Sequence, residues 1–303
     1  MNLEGGATDS PIDAAIAPPK PWVTVFAIIA SLATFVGLAI KNDYESWSTL
    51  ALFGYLPAEE IRAGGYWALI TSTFVHFALW HAALNVYWLW VLGNRMEIAI
   101  GSRLYLAFVL LAAFVSSAFQ LATSDTTGIG ASGVVYAIFG FMWPTRKRYP
   151  SFVEALDWRT VQLFIIWMGV CVVAQYLNVA DIGNAAHVFG FLFGAAVARG
   201  FALPFIPTVF RAAAASLLVG GTIPLFWCPW SASWLSTAAY DAHVAEDYEQ
   251  AISLYSSLVR IDPDNAWACL NRSYAFEALG QPAKAEADLE RARQIDPDIA
   301  DEP

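Results

Sequence analysis

The sequence predicts an all-α protein: a polytopic membrane helical bundle followed by a small α-helical repeat tail. Three observations predict this class. The chain has 303 residues, of which 58% are hydrophobic and 14% charged, whereas soluble domains carry about a quarter charged residues. The apolar residues gather into seven segments, near 22–40, 77–93, 104–122, 132–143, 161–177, 185–203 and 208–228. The net charge of −10 is uneven: residues 241–303 hold 14 acidic and 5 basic side chains, and the rest of the chain holds 12 and 11. The acidity therefore marks a water-facing tail and excludes nucleic acid as a partner.

The elements follow in chain order. Residues 1–21 are Pro- and Ala-rich and acidic, without the basic start of a cleaved signal or the arginine bias of a transit peptide. They read as a disordered lead into a signal-anchor helix. Residues 22–205 read as the membrane core, since a spanning helix needs ~20 apolar residues and most segments qualify. The fourth is short. With the N-terminus inside, inner loops hold Lys20, Arg95, Arg103, Arg146, Lys147, Arg148, Arg159, Arg199 and Arg211, and outer loops hold Lys41 and Arg62. That bias favours a cytoplasmic N-terminus. Residues 206–230 read as a seventh transmembrane helix, interrupted by Gly220-Gly221 and Pro224. If it crosses, the tail at 231–303 lies outside. Cys171, Cys228 and Cys269 are scattered and form neither a disulfide framework nor a zinc pattern.

The tail repeats itself. "IDPD" stands at 261–264 and at 295–298, a period of 34. Ala251, Tyr255, Leu258 and Pro263 precede or complete the first copy as Ala285, Leu289, Ala292 and Pro297 do the second. This pattern, over about 235–299, resembles the tetratricopeptide repeat, a helix–turn–helix unit of that period. The resemblance implies a groove for a protein or peptide partner. His243 reads as a surface residue.

Depth singles out a few polar side chains. Ser132 precedes Arg146 by fourteen residues, roughly 21 Å of helix against an apolar core of ~30 Å. It therefore lies below the outer surface, and the loop "SDTTGIGA" must dip to meet it. His187 precedes Arg199 by twelve residues, and His81 and Asn85 precede Arg95 by fourteen and ten. All four fall at similar height, and polar groups at such depth are functional candidates. His81 and Asn85 share a helix face, as do Ser132 and Tyr136. His76 lies about 140° from His81 by helical period. It is expected in the outer loop or at the helix start, facing away from His81. Each residue alone also has a packing explanation: a helix cap for Ser132, an interhelical hydrogen bond for His187 or Asn85.

Together the motifs resemble a family. "HFALWHAALN" (His76, His81, Asn85), "EIAIGS" (97–102), "GASGVVYAIFG" (Gly130, Ser132, Gly133, Tyr136) and "NAAHVFGFLFG" (His187, Gly190, Gly194) stand in the order found in rhomboid intramembrane serine proteases. The resemblance covers about 60–205. It implies a six-helix rhomboid core and an endopeptidase that cleaves transmembrane proteins. It makes Ser132 the nucleophile and His187 the base, without an acidic third member. It gives Tyr136 the task of orienting His187, and the oxyanion to the Ser132 backbone N–H with His81 and Asn85. His76, Gly130, Gly133 and Gly190 support that set. The implied partners are single-span membrane substrates and the lipid bilayer, in a bacterial inner membrane, with no cofactor and no metal. The chain departs from the family at Trp67-Ala68, where an arginine commonly follows the tryptophan. A non-catalytic rhomboid-like binder, presenting clients through the tail, is the alternative function. A metalloenzyme using His76, His81 and His187 lacks an HExxH motif, and nothing suggests the inverted repeats of a transporter.

Overall fold

The computed structural model describes residues 20–299. The lead expected at 1–21 lies, except for Lys20 and Pro21, outside the described residues. The described residues are helical throughout, with no strand among them. The first helix is α1 (Trp22–Lys41). A long connection follows, built of α2 (Trp47–Leu52), α3 (Ala58–Arg62), α4 (Ala68–Thr71) and a 3-10 turn at Ser72–Phe74. The chain then bends by 100° into α5 (Leu79–Trp88), a π turn at Leu89–Gly93, and α6 (Asn94–Ile100). Next come α7 (Ser102–Ser124), α8 (Ser132–Thr145), the short α9 (Pro150–Ala155), α10 (Trp158–Tyr176) and α11 (Asn184–Val197), which ends in a π turn at Ala198–Ala202. Helix α12 (Pro207–Phe226) precedes the tail helices α13 (Ala232–Val244), α14 (Tyr248–Ile261), α15 (Ala266–Ala278) and α16 (Pro282–Ile295).

Length sorts the helices. Among the described residues, α1, α7, α10, Asn184–Ala202 and α12 are each long and apolar enough to cross a membrane, and the bent pair Ala68–Phe74 with Leu79–Ile100 passes the same test jointly. Helix α8 is only 14 residues long, yet every residue from Gly133 to Met142 is buried. It is the post around which the others stand, and its apolarity on all sides follows from that position. Its shortness lets Ser132 start the helix at the bottom of a loop. The polar end of α1 is tied in by Glu97, whose carboxylate accepts from the Val23 and Thr24 backbone N–H at 3.0 and 2.8 Å, and from the Thr24 and Ser102 hydroxyls at 2.8 and 2.6 Å. A buried carboxylate is stable only with such a full set of donors.

The seventh apolar segment is a single helix. Gly220 and Gly221 do not break it; they face Phe119 and Phe114 of α7 and allow close packing there. Pro224 lies in the last turn, where the helix is about to end anyway. Ala68, where the sequence departs from the rhomboid pattern, is fully buried beside Leu56, Ile61, Leu69 and Leu121. An apolar contact fills that place, and the polar tether of the loop comes from Arg62 instead.

The tail is four helices with a core of Leu235, Ala239, Ala251, Tyr255, Leu258 and Ala268. Asp247 and Asn265 cap α14 and α15 through the backbone N–H groups of Gln250 and Ala268. Arg272 grips Asp288 across α15 and α16 with two hydrogen bonds at 2.6 and 2.7 Å. His243 is not a plain surface residue. It is partly buried, packs edge-on against Tyr248 and Tyr255, and buries its Nδ1. The tail stands at the same end of the bundle as Ser132, because α13 begins against Asp125, the residue that ends α7.

Candidate active site

Two helices bring the central pair together. Ser132 opens α8 and His187 lies in the first turn of α11, with His187 Nε2 2.8 Å from Ser132 Oγ. The approach depends on missing side chains. A Cβ on Gly190 would lie 2.2 Å from the Gly133 carbonyl oxygen, and one on Gly194 would lie 1.9 Å from that of Ala137. Helix α11 thus rests on the backbone of α8, and no other residue type fits at those positions. Gly133 is equally confined, against Ser116 and the Ala186 carbonyl.

The rest of the set surrounds this pair. Tyr136, one turn below Ser132, holds its ring 4.6 Å from the His187 ring at 31° and donates its hydroxyl to the Phe164 carbonyl at 3.0 Å. The two rings are thus in direct contact. His187 Nδ1 is buried and has no hydrogen-bond partner among the described residues. Gly130, at φ 90°, turns the chain two residues before the serine. A side chain there would be strained and would also strike His81, whose Cε1 lies 2.7 Å from the Cβ position.

His76 departs from its expected orientation. The helical-angle argument assumed a continuous helix through His76, but α5 begins only at Leu79. The preceding bend returns His76 to the site, where its ring lies 5.0 Å from that of His81. Its Nδ1 is 3.0 Å from the Phe74 carbonyl, which can only accept, so the proton sits on Nδ1. Nε2 is then an acceptor and receives the Asn85 amide at 3.1 Å. The same Asn85 nitrogen also donates to the His81 carbonyl at 3.1 Å. Both amide hydrogens of Asn85 are therefore engaged. His76 Nε2 is taken by Asn85 and His187 Nε2 by Ser132. Among the described residues no group of three His, Cys, Asp or Glu side chains is arranged to hold a metal ion.

Sequence reading missed three polar residues. Ser116 and Gln120 lie four apart on α7, inside a run read as merely apolar, and both are buried. Gln120 accepts from the Ala186 backbone N–H at 3.0 Å and so braces the start of α11. Two polar side chains one turn apart in an apolar helix were the available signal. Asn184 is the third; it donates to the Cys171 carbonyl at 3.3 Å and to Gln175 Oε1 at 2.5 Å, tying α10 to α11. Ser132, His187, His81 and Asn85 all line a cavity of about 980 Å³ bounded by α5, α10 and the loops at 126–130 and 180–183.

Residues 63–203 match the Rhomboid domain family model, and residues 244–302 match a tetratricopeptide repeat model. Residues 63–203 of this chain are thus similar to rhomboid domains. Rhomboid protease GlpG of Yersinia pseudotuberculosis is 29% identical over 174 residues, covering 57% of this chain and 60% of the relative. Rhomboid protease GlpG of Pectobacterium atrosepticum is 32% identical over the same length and shares. This chain thus spans 60% of the length of those curated relatives. The matched stretch contains every residue of the pair and its surround, from His76 to Gly194. The repeat match begins within the last turn of α13.

Proposed function

We propose that the protein is an intramembrane serine endopeptidase that cleaves single-span transmembrane proteins with a Ser132–His187 dyad. The 2.8 Å contact between His187 Nε2 and Ser132 Oγ carries this reading. A hydroxyl needs an adjacent base to become a nucleophile, and here base and hydroxyl face one water-accessible cavity inside an apolar bundle. His187 Nε2 takes the Ser132 proton as Oγ attacks the scissile carbonyl. The carbonyl oxygen becomes an oxyanion, met by the Ser132 backbone N–H and the His81 ring. Asn85 joins them by exchanging one of its two present acceptors. His187 then gives its proton to the leaving amine as the C–N bond breaks. A water, deprotonated by His187, then attacks the acyl carbon, the C–Oγ bond breaks to release the carboxylic acid product, and His187 returns the proton to Ser132 Oγ.

Entry from lipid between α5 and α10 is supported by Trp80, Leu84, Tyr87, Leu163 and Trp167, which line the cavity and are exposed. In the same reading the chain divides at about 205/206 and 230/231, lies in a bacterial inner membrane with its N-terminus cytoplasmic, and presents its tail outside to a protein or peptide client. The intact dyad disfavours a purely binding role. The test is purified protein in detergent with a panel of single-span substrates and a fluorophosphonate. Wild type should cleave and should be labelled at Ser132. Ser132→Ala and His187→Ala should lose at least ~10⁴-fold in kcat, and wild-type turnover by Ser132→Ala would remove the protease reading.

A further inference from the structure

Outside the cavity, one more cluster of polar contacts stands out. The Asp125 carboxylate ends α7 and receives the start of the repeat module. The Ala232 and Ser233 backbone N–H groups donate to its Oδ2 at 3.0 and 3.4 Å, the Ser233 hydroxyl to Oδ1 at 2.7 Å, and the Ser231 hydroxyl also to Oδ1. Its single core partner is Arg62, at 3.4 Å. The Arg62 side chain is 3% exposed. It also donates to the Pro224 carbonyl at 3.4 Å and to the Ser233 hydroxyl. Trp230 adds a hydrogen bond from Nε1 to the Ala122 carbonyl at 2.8 Å.

This arrangement is asymmetric. Four of the five donors to Asp125 belong to the tail, and a carboxylate at a helix N-terminus is favoured by the unpaired N–H groups and dipole there. Arg62 is a buried cation whose one carboxylate among the described residues is Asp125, so loosening the tail takes four donors from Asp125 and the Ser233 acceptor from Arg62. Asp125 is also the first residue of the loop that ends at Ser132. That loop runs through Gly130, whose backbone N–H donates to the Ser72 carbonyl at 3.2 Å and which abuts His81. One end of the loop is therefore set by α8 and the other by a residue that the tail holds.

We infer that the start of α13, the helix leading into the repeats, is a docking surface for the membrane core, and that Asp125 is a positioning residue through which docking sets the loop carrying Ser132. The module is a fixed platform beside the site. The effect on rate rests on the protease reading; the docking does not.

The test uses full-length protein in detergent, with hydrogen exchange read over 122–131 and 231–234, and kcat and KM read on a generic single-span substrate. Ser231→Ala/Ser233→Ala alters only the tail side. It should speed exchange across 122–131 by about tenfold, the scale expected when hydrogen bonds to a charged group are lost, and should lower kcat several-fold with KM little changed. Asp125→Ala should do the same, and the combined variant should add nothing. If Asp125→Ala does not accumulate, Asp125→Asn keeps an acceptor for α13 but no charge opposite Arg62, and should give a smaller acceleration. Faster exchange confined to 231–234 would overturn the proposal, as would a faster loop with unchanged kcat. Wild type without any cleavage would strike the protease reading alone, since exchange still decides the docking.

Discussion

Helix α11 meets α8 backbone against backbone, with Gly190 and Gly194 seated on the carbonyls of Gly133 and Ala137. Helix α10, on the other side of the same cavity, buries only Val161, Phe164 and Cys171. Leu163, Ile165, Ile166, Trp167, Val170 and Val173 all lie largely exposed along it. Its named polar ties are two: Tyr136 on the Phe164 carbonyl, and Asn184 on Cys171 and Gln175. In the protease reading proposed above, the contrast separates two tasks. A proton must pass between two atoms held 2.8 Å apart, and an error of ~1 Å costs about 100-fold, so that side has no slack. An incoming helix must be admitted from lipid, so the other side is lightly fastened.

After loss of the dyad itself, the largest effect should come from the proposed oxyanion donors on α5. His81→Ala or Asn85→Ala should lower kcat by about 10²–10³, with KM little changed, because the charge they meet exists only in the transition state. Steady-state kinetics of each variant decides this. Unchanged kcat in Asn85→Ala would mean that its bonds to His76 and the His81 carbonyl are its whole role. Next comes the helix contact itself. Gly194→Ala should destabilise the protein by about 1–3 kcal/mol through overpacking, read as a lower denaturation midpoint in detergent. It should also lose most activity as α11 shifts. Normal stability would show that α8 and α11 have room that the structure denies.

The loose side should respond weakly and in the other parameter. Gln175→Ala removes one acceptor of Asn184 at the end of α10, worth about 1 kcal/mol. It should lower KM for a single-span substrate by a few-fold and leave kcat within about twofold. A fall in kcat instead would mean that α10 helps to hold the dyad, and the division of tasks would fail.

The tail helices away from the Asp125 contact should respond least, and to pH. Burial holds the His243 imidazole below its ordinary value of 6.5. The folded tail resists a proton that the unfolded chain accepts. The stability of α13 and α14 should then be complete above about pH 6.5 and decline as pH falls through that value. Hydrogen exchange of 232–261 at pH 7.5 and pH 5 measures it, corrected for the intrinsic rate. His243→Phe should flatten the dependence, while cleavage of a generic substrate by that variant stays normal.

Much of this was legible in one dimension. Apolar segment length announced the spanning helices, and a 34-residue period announced the tail. Depth counted from arginines, with a constant helix rise and a known membrane thickness, grouped Ser132, His187, His81 and Asn85, and the four do line one cavity. The glycine spacing in "HVFGFLFG" signalled close packing, because only a missing Cβ allows it. Other features needed three dimensions. His76 reached the site through a bend between Phe74 and Leu79 that helical period could not describe. Ser116 and Gln120 became part of the wall only when α7 was laid against α8 and α11. Asp125 and Arg62 lie 63 residues apart, and Ser233 lies 108 beyond Asp125. No local pattern relates them, because hydrogen-bond partners are chosen by proximity in space. Periodicity along the chain reports which side of one helix a residue occupies. Only the packing of helices determines what that side meets.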